Sequence, residues 1–270
     1  MKNEGIKKLL EAMWQDYIKL NPLAKKIFDL FTSRGEKVIN DHIALRTFSH
    51  PKIGVDVLAR PFVEAGYIAC GEYQFASKKL FAKHYEHEDK EMPRVFISEL
   101  LVDELSPKAQ KIIKGLIDQV DGSTTFEKDF IYSGRPWSAD SNVYQELLQE
   151  SEYAAWMCAF GFRPNHFTVS VNELEKFNDI EDVNEFLRSE SISLNESGGE
   201  VKGSEKDYLK QSSTLANKID VKFSDKVMQI PSCYYEFAKR FKTESGELFQ
   251  GFVAKSADKI FESTDQKEQG

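Results

Sequence analysis

The sequence predicts an α+β chain built on a duplicated βαβββ layout. Three observations carry this reading. Over residues 41–105 a strand-like run, a helix and three more strand-like runs follow one another. After a largely helical insertion, strand, helix and strands recur over 160–245. Both series open on a histidine at the head of an alternating run: Asp41-His42-Ile43-Ala44-Leu45-Arg46 and Asn165-His166-Phe167-Thr168-Val169-Ser170.

Residues 1–40 read as a helical segment packed on the core. Leu10, Met13, Trp14, Tyr17 and Ile18 recur at helical spacing and make one apolar stripe. Asn21-Pro22 then supplies an N-cap and a first-turn proline for a helix carrying Leu23, Ile27, Leu30 and Phe31. A strand over 41–48 follows, then a helix near 54–66 ended by Gly66, and strands near 67–75, 79–86 and 93–101. Ser106-Pro107 opens a helix over 107–120, residues 121–140 are turn-rich, and one helix over 141–159 runs to Gly161. A strand at 166–172 and a helix at 179–189 precede a polar stretch, Asn195 to Ser204, read as a plain loop. Strands near 208–222 and 231–241 complete a catalytic domain bounded at 41–264, and residues 265–270 form a frayed tail.

Composition narrows the function classes. The chain has 270 residues, 41% apolar and 30% charged, with a net charge of −8 and no basic block. That balance argues against nucleic acid and anionic membrane as partners. Three cysteines without a CxxC pair point to a reducing compartment, and no secretory leader or membrane span is evident, so a cytoplasmic enzyme is expected.

The chemistry sits in the strands. Side chains alternate along a strand, so His42, Ala44 and Arg46 share one face, as do His166, Thr168 and Ser170, and Tyr234, Glu236 and Ala238. The opposite faces are mostly apolar. Two imidazoles and one carboxylate form the facial triad that leaves open positions on a divalent metal. A single strand histidine is more often a hydrogen-bonded core residue, and long-range spacing is less specific than HExxH. Glu99 is a rival carboxylate, while His50, His84 and His87 read as surface residues. Arg46 offers a planar fork for a substrate carboxylate or, equally, a structural ion pair. Ser213, in the polar cluster Gln211-Ser212-Ser213-Thr214, is a weaker candidate for substrate contact.

These residues lie in motifs that resemble a known family. DHIALRTF (41–48), FISEL (96–100), NHFTVSVN (165–172), QSSTLA (211–216), IPSCYYEFAKR (230–240) and ADKIFEST (257–264) resemble, in order, the 2-oxoadipate dioxygenase/decarboxylase family. The resemblance implies a vicinal-oxygen-chelate-like fold, in which βαβββ modules curl a mixed sheet around a metal, with N-terminal helices added. It implies His42, His166 and Glu236 as ligands of Fe(II), or another divalent metal, and Arg46 as the clamp on a substrate carboxylate. It implies that a 2-oxo dicarboxylic acid such as 2-oxoadipate reacts with O2 to give a 2-hydroxy acid and CO2, in lysine degradation. The chain is shorter than some members, so pocket residues from their extra segments do not carry over. Two other readings stand beside this one. The first is a metal-dependent lyase, isomerase or hydrolase of the same fold class. The second is a non-catalytic small-molecule binding protein.

Overall fold

In the computed structural model residues 2–254 are described, so the ADKIFEST motif and the 265–270 tail lie outside the described residues. The eight strands of the main sheet are β1 (Asn40–Phe48), β2 (Ile68–Phe75), β3 (Leu80–Glu86), β4 (Arg94–Leu100), β5 (Pro164–Ser170), β6 (Lys202–Ser204), β7 (Leu209–Ser213) and β10 (Tyr234–Arg240). They run in the order β2-β3-β4-β1-β5-β10-β7-β6. Strand β1 pairs parallel with β4, and β5 pairs parallel with β10. Every other neighbour pair, including the central β1–β5 seam, is antiparallel. The two quartets therefore repeat one pairing pattern about the seam. The mixed sheet curls into a half-barrel against which the helices pack.

The outer face is the apolar one. Helices α1 (Lys2–Leu20) and α2 (Pro22–Ser33) lie across it. Trp14 and Tyr17 pack on Phe167 at ring distances of 5.2 and 5.0 Å, and Phe31 packs on Phe237. Ile43, Leu45, Val169, Tyr235 and Phe237 are buried there, each such side chain contributing about 1.5–3 kcal/mol. The Asn21 side chain caps α2, accepting from Ala24 N–H at 3.3 Å. Helix α3 (Val55–Ala65) ends at Gly66 in the left-handed region.

Four elements differ from the sequence reading. The helix over 107–120 stops at Ile117, as α4 (Pro107–Ile117). The single helix over 141–159 is two, α5 (Ser141–Glu150) and α6 (Glu152–Phe160). Ser151 takes an extended backbone and its hydroxyl accepts from Ala154 N–H, so it starts a new helix instead of continuing the old one. Gly161 does end α6, where the backbone of Gly134 and Arg135 leaves no room for a Cβ. The strand over 208–222 is also two. Its first part is β7. Its second, β8 (Lys218–Lys222), leaves the sheet to pair with β9 (Val227–Pro231) in a separate ribbon. Part of the polar stretch read as loop is the short edge strand β6. Helix α7 (Ile180–Ser189) begins at Asp179 with a capping box completed by Asp182.

Candidate metal centre

The inner, concave face carries the polar residues. Register places them side by side: Thr168 opposite His42, His166 opposite Ala44, Glu236 opposite Thr168, and Ser213 opposite Glu236. His42 Nε2 and His166 Nε2 lie 3.4 Å apart. Glu236 Oε1 is 3.5 Å from His42 Nε2, and Glu236 Oε2 is 3.3 Å from His166 Nε2. All three residues are buried. One atom from each falls within 4.8 Å of the others, the arrangement of a metal-binding group.

Both histidines are aimed by the residue before them, which a regular strand would not allow. Adjacent strand side chains point to opposite faces. Here β1 advances from Asn40 to His42 while β5 advances only from Val169 to Thr168, so Asp41 is an inserted, bulged residue. Farther along, β5 steps from His166 to Pro164 while β1 steps from Ala44 to Leu45, so Asn165 is bulged in the same way. Each bulge turns its polar side chain beside the next imidazole. Asp41 Oδ1 is 2.7 Å from His42 Nδ1, and Asn165 Oδ1 is 3.1 Å from His166 Nδ1. Both oxygens accept, so each Nδ1 carries the proton and each Nε2 presents a lone pair to the centre. Thr168 Oγ1 lies 3.1 Å from His42 Nε2.

Asp41 is itself anchored. Arg240 donates from Nε to Oδ2 at 2.6 Å and from its terminal nitrogen to Oδ1 at 2.9 Å, and Arg94 stands 3.4 Å away. Burial pushes the Asp41 carboxyl up, but Arg240, His42 and Arg94 outweigh it and hold it well below the usual range. Burial lowers both imidazoles, His166 further because His42 and Arg46 face it, so both are neutral ligands near neutral pH. Burial pushes Glu236 up to about 8, against the donation it receives from Gln211 Nε2 at 2.5 Å.

The donor set fits a divalent ion. Glu236 Oε2 is buried and, among the described residues, accepts no hydrogen bond, although the partner oxygen is satisfied by Gln211. The two Nε2 atoms are 3.4 Å apart and Glu236 approaches each through a different oxygen, at 3.5 and 3.3 Å, so the three side chains converge on a common point where a divalent ion could be held. A cation at that point supplies the charge that the raised Glu236 carboxyl otherwise lacks.

The other sequence candidates fall as follows. The Arg46 guanidinium lies on the inner face between the rings of Tyr153 and Trp156, at 4.9 and 5.0 Å. Ser213 is fully buried directly across from Glu236. Glu99 is not at the site: it points to the outer face, where its carboxylate accepts from Val55 N–H at 2.8 Å and caps α3. Strand parity decides this, since Ser98, the residue before it, pairs with Arg46. His50 is exposed, but His84 and His87 are buried, contrary to the surface reading. His84 faces inward from β3 and His87 packs on Tyr67. The residues the sequence did not single out are the positioning ones: Asp41, Asn165, Arg240 and Phe252. Adjacency to the histidines was the available signal for the first two. Phe252, from the segment after β10, stands edge-on to His42 at 4.8 Å and closes one side of the centre.

The family profile described as 2-oxoadipate dioxygenase/decarboxylase matches residues 5–131 and 128–247. A chloroplastic 2-oxoadipate dioxygenase/decarboxylase of Arabidopsis thaliana is 35% identical over 96% of this chain and 77% of its own length. The crystal structure of hydroxyglutarate synthase from Oryza sativa, in complex with 2-oxoadipate, superposes with a TM-score of 0.92. It is 34% identical and covers 98% of this chain and 93% of that one. A Shewanella frigidimarina protein, provisionally described as a hydrolase, is 55% identical with a TM-score of 0.90, covering 92% of this chain and 98% of that one.

Proposed function

The chain belongs to the 2-oxoadipate dioxygenase/decarboxylase family, and from that membership and the geometry of its inner face we propose that it is an Fe(II)-dependent oxygenase of a 2-oxo dicarboxylic acid. The substrate is 2-oxoadipate or a close homologue, consumed with O2 to give a 2-hydroxy acid and CO2. The observation that carries the reading is the buried His42, His166, Glu236 triangle with its unsatisfied Glu236 Oε2. The atoms balance without an external reductant. For 2-oxoadipate, the C1 carboxylate leaves as CO2, one oxygen atom enters the new carboxylate at the former keto carbon, and the other becomes the hydroxyl on its neighbour.

A bound iron supplies open coordination positions for the 2-oxo acid and O2, together with the redox change that activates O2. The chain's own residues do the rest. His42, His166 and Glu236 hold the ion on one side, and Asp41 and Asn165 fix the two imidazoles in the ligating tautomer. Arg46 binds a substrate carboxylate through its planar fork, held in place by Tyr153 and Trp156. Gln211 steadies Glu236. Phe252 limits water beside His42, which protects reactive species from side reactions.

The test is anaerobic reconstitution with Fe(II), followed by oxygen uptake across a panel of 2-oxo acids. The expected result is one CO2 and one 2-hydroxy acid per O2, fastest with 2-oxoadipate. Turnover of any panel member without oxygen consumption would reject the oxygenase reading and favour a lyase or hydrolase.

A further inference from the structure

We propose that Cys70, His84 and Glu86 form a second cation site, selective for a borderline-soft divalent ion such as Zn2+, at the β2–β3 edge of the sheet. One donor atom from each of the three lies within 4.8 Å of the others, as in the triad. The proposal is independent of the reaction assigned to the triad.

The site is built by the same device as the triad. Strand β2 advances from Ala69 to Gly71 while β3 advances only from Tyr85 to His84, so Cys70 is a bulged residue. Gly71 beside it lets the His84 ring lie against the β2 backbone, since a Cβ there would stand 2.8 Å from the imidazole. His84 is 3% exposed, so its orientation is set by its neighbours. Its Nδ1 lies 2.9 Å from the Tyr73 hydroxyl and its Nε2 lies 3.1 Å from Glu86 Oε1. With Nδ1 protonated and donating to Tyr73, Nε2 offers its lone pair toward Glu86, the arrangement metal-ligating histidines adopt.

The electrostatics point the same way. Burial lowers His84, which keeps it neutral and able to ligate. The Cys70 thiol is raised, first by burial and then by the Glu86 carboxylate, which marks a negative nook that a cation would reverse. Lys90 stands 3.9 Å from Glu86 Oε2, and its own side chain is 75% exposed. A thiolate, an imidazole and a carboxylate with solvent on the open side suit Zn2+ or Co2+, whereas the two-imidazole, one-carboxylate triad lacks sulfur. Phe252 links the two centres: its ring meets both His42 and His84, and its N–H donates to the Tyr73 hydroxyl at 3.1 Å.

Cobalt titration of the full-length protein tests this, because only a thiolate ligand gives the intense near-ultraviolet sulfur-to-cobalt band. The expected wild-type result is two equivalents bound, with the band saturating at one. Cys70→Ser should lose the band and one equivalent while keeping the other, and Glu236→Ala should keep the band and lose the other equivalent. Cys70 is exposed on an edge strand, so its replacement leaves the core untouched. A single equivalent without a sulfur band in the wild type, or a band that survives in Cys70→Ser, would overturn the proposal.

Discussion

At the scale of the residue, the centre depends on side chains that never touch the ion. Asp41 orients His42 and raises its basicity, so Asp41→Asn should weaken Fe(II) or Co(II) binding by about 10- to 100-fold, measured by titration. Asn165→Ala should cost less, because a neutral amide lends the imidazole less negative charge. Arg46→Lys keeps the charge but loses the fork and its seat between two rings. A lost charge-assisted hydrogen bond of about 1.5–3 kcal/mol corresponds to a fall in kcat/KM of roughly 10- to 150-fold. Iron content should be unchanged, and a lower melting temperature with normal kinetics would mean that Arg46 is structural only. Glu236 makes a pH prediction. Its carboxyl is raised to about 8 in the ion-free protein, so the folded state holds a proton that the unfolded chain has released. Stability from this group is therefore lost as pH climbs toward about 8. The lowered histidines work in the opposite sense, but only below their ordinary value of 6.5. Between 6.5 and about 8 the ion-free protein should lose melting temperature with rising pH, and Glu236→Gln should flatten that slope.

At the scale of the element, small interruptions do the positioning. The bulges at Asp41 and Asn165 put two consecutive polar side chains on one face, which an uninterrupted strand forbids. The break at Ser151 acts in the same way on a helix. It splits an apolar run so that α6 can bring Tyr153 and Trp156 against Arg46. Ser151→Ala removes the cap on Ala154 N–H and should destabilise the protein by about 0.5–2 kcal/mol in urea unfolding. If the cap also sets the seat of Arg46, KM should rise in the folded variant.

At the scale of the whole molecule, the centre straddles the seam between the two strand quartets. His42 comes from one quartet, and His166 and Glu236 from the other. An ion held by both should stabilise the fold as a unit, by about 2.7 kcal/mol at a free concentration 100 times its Kd, so chelation should lower the melting temperature. Phe252 closes the same place from the far end of the described chain. Phe252→Ala should leave the fold intact and uncouple the reaction, so that oxygen uptake exceeds product formed.

The sequence by itself determined the alternation of the strands, the caps at Asn21 and Ser106, and the inner-face placement of His42, His166 and Glu236. These are local properties: strand parity and helix caps are written in neighbouring residues. Only the tertiary structure decided which carboxylate completes the triangle. Glu99 and Glu236 both lie in the closing strand of their half, and parity across the β1–β4 pairing sends Glu99 to the helix side. The bulges, the inward-facing burial of His84 and the closure by Phe252 were likewise illegible. Each arises from a register or a long-range contact between strands far apart in the chain, and no local pattern encodes which partner a strand will meet.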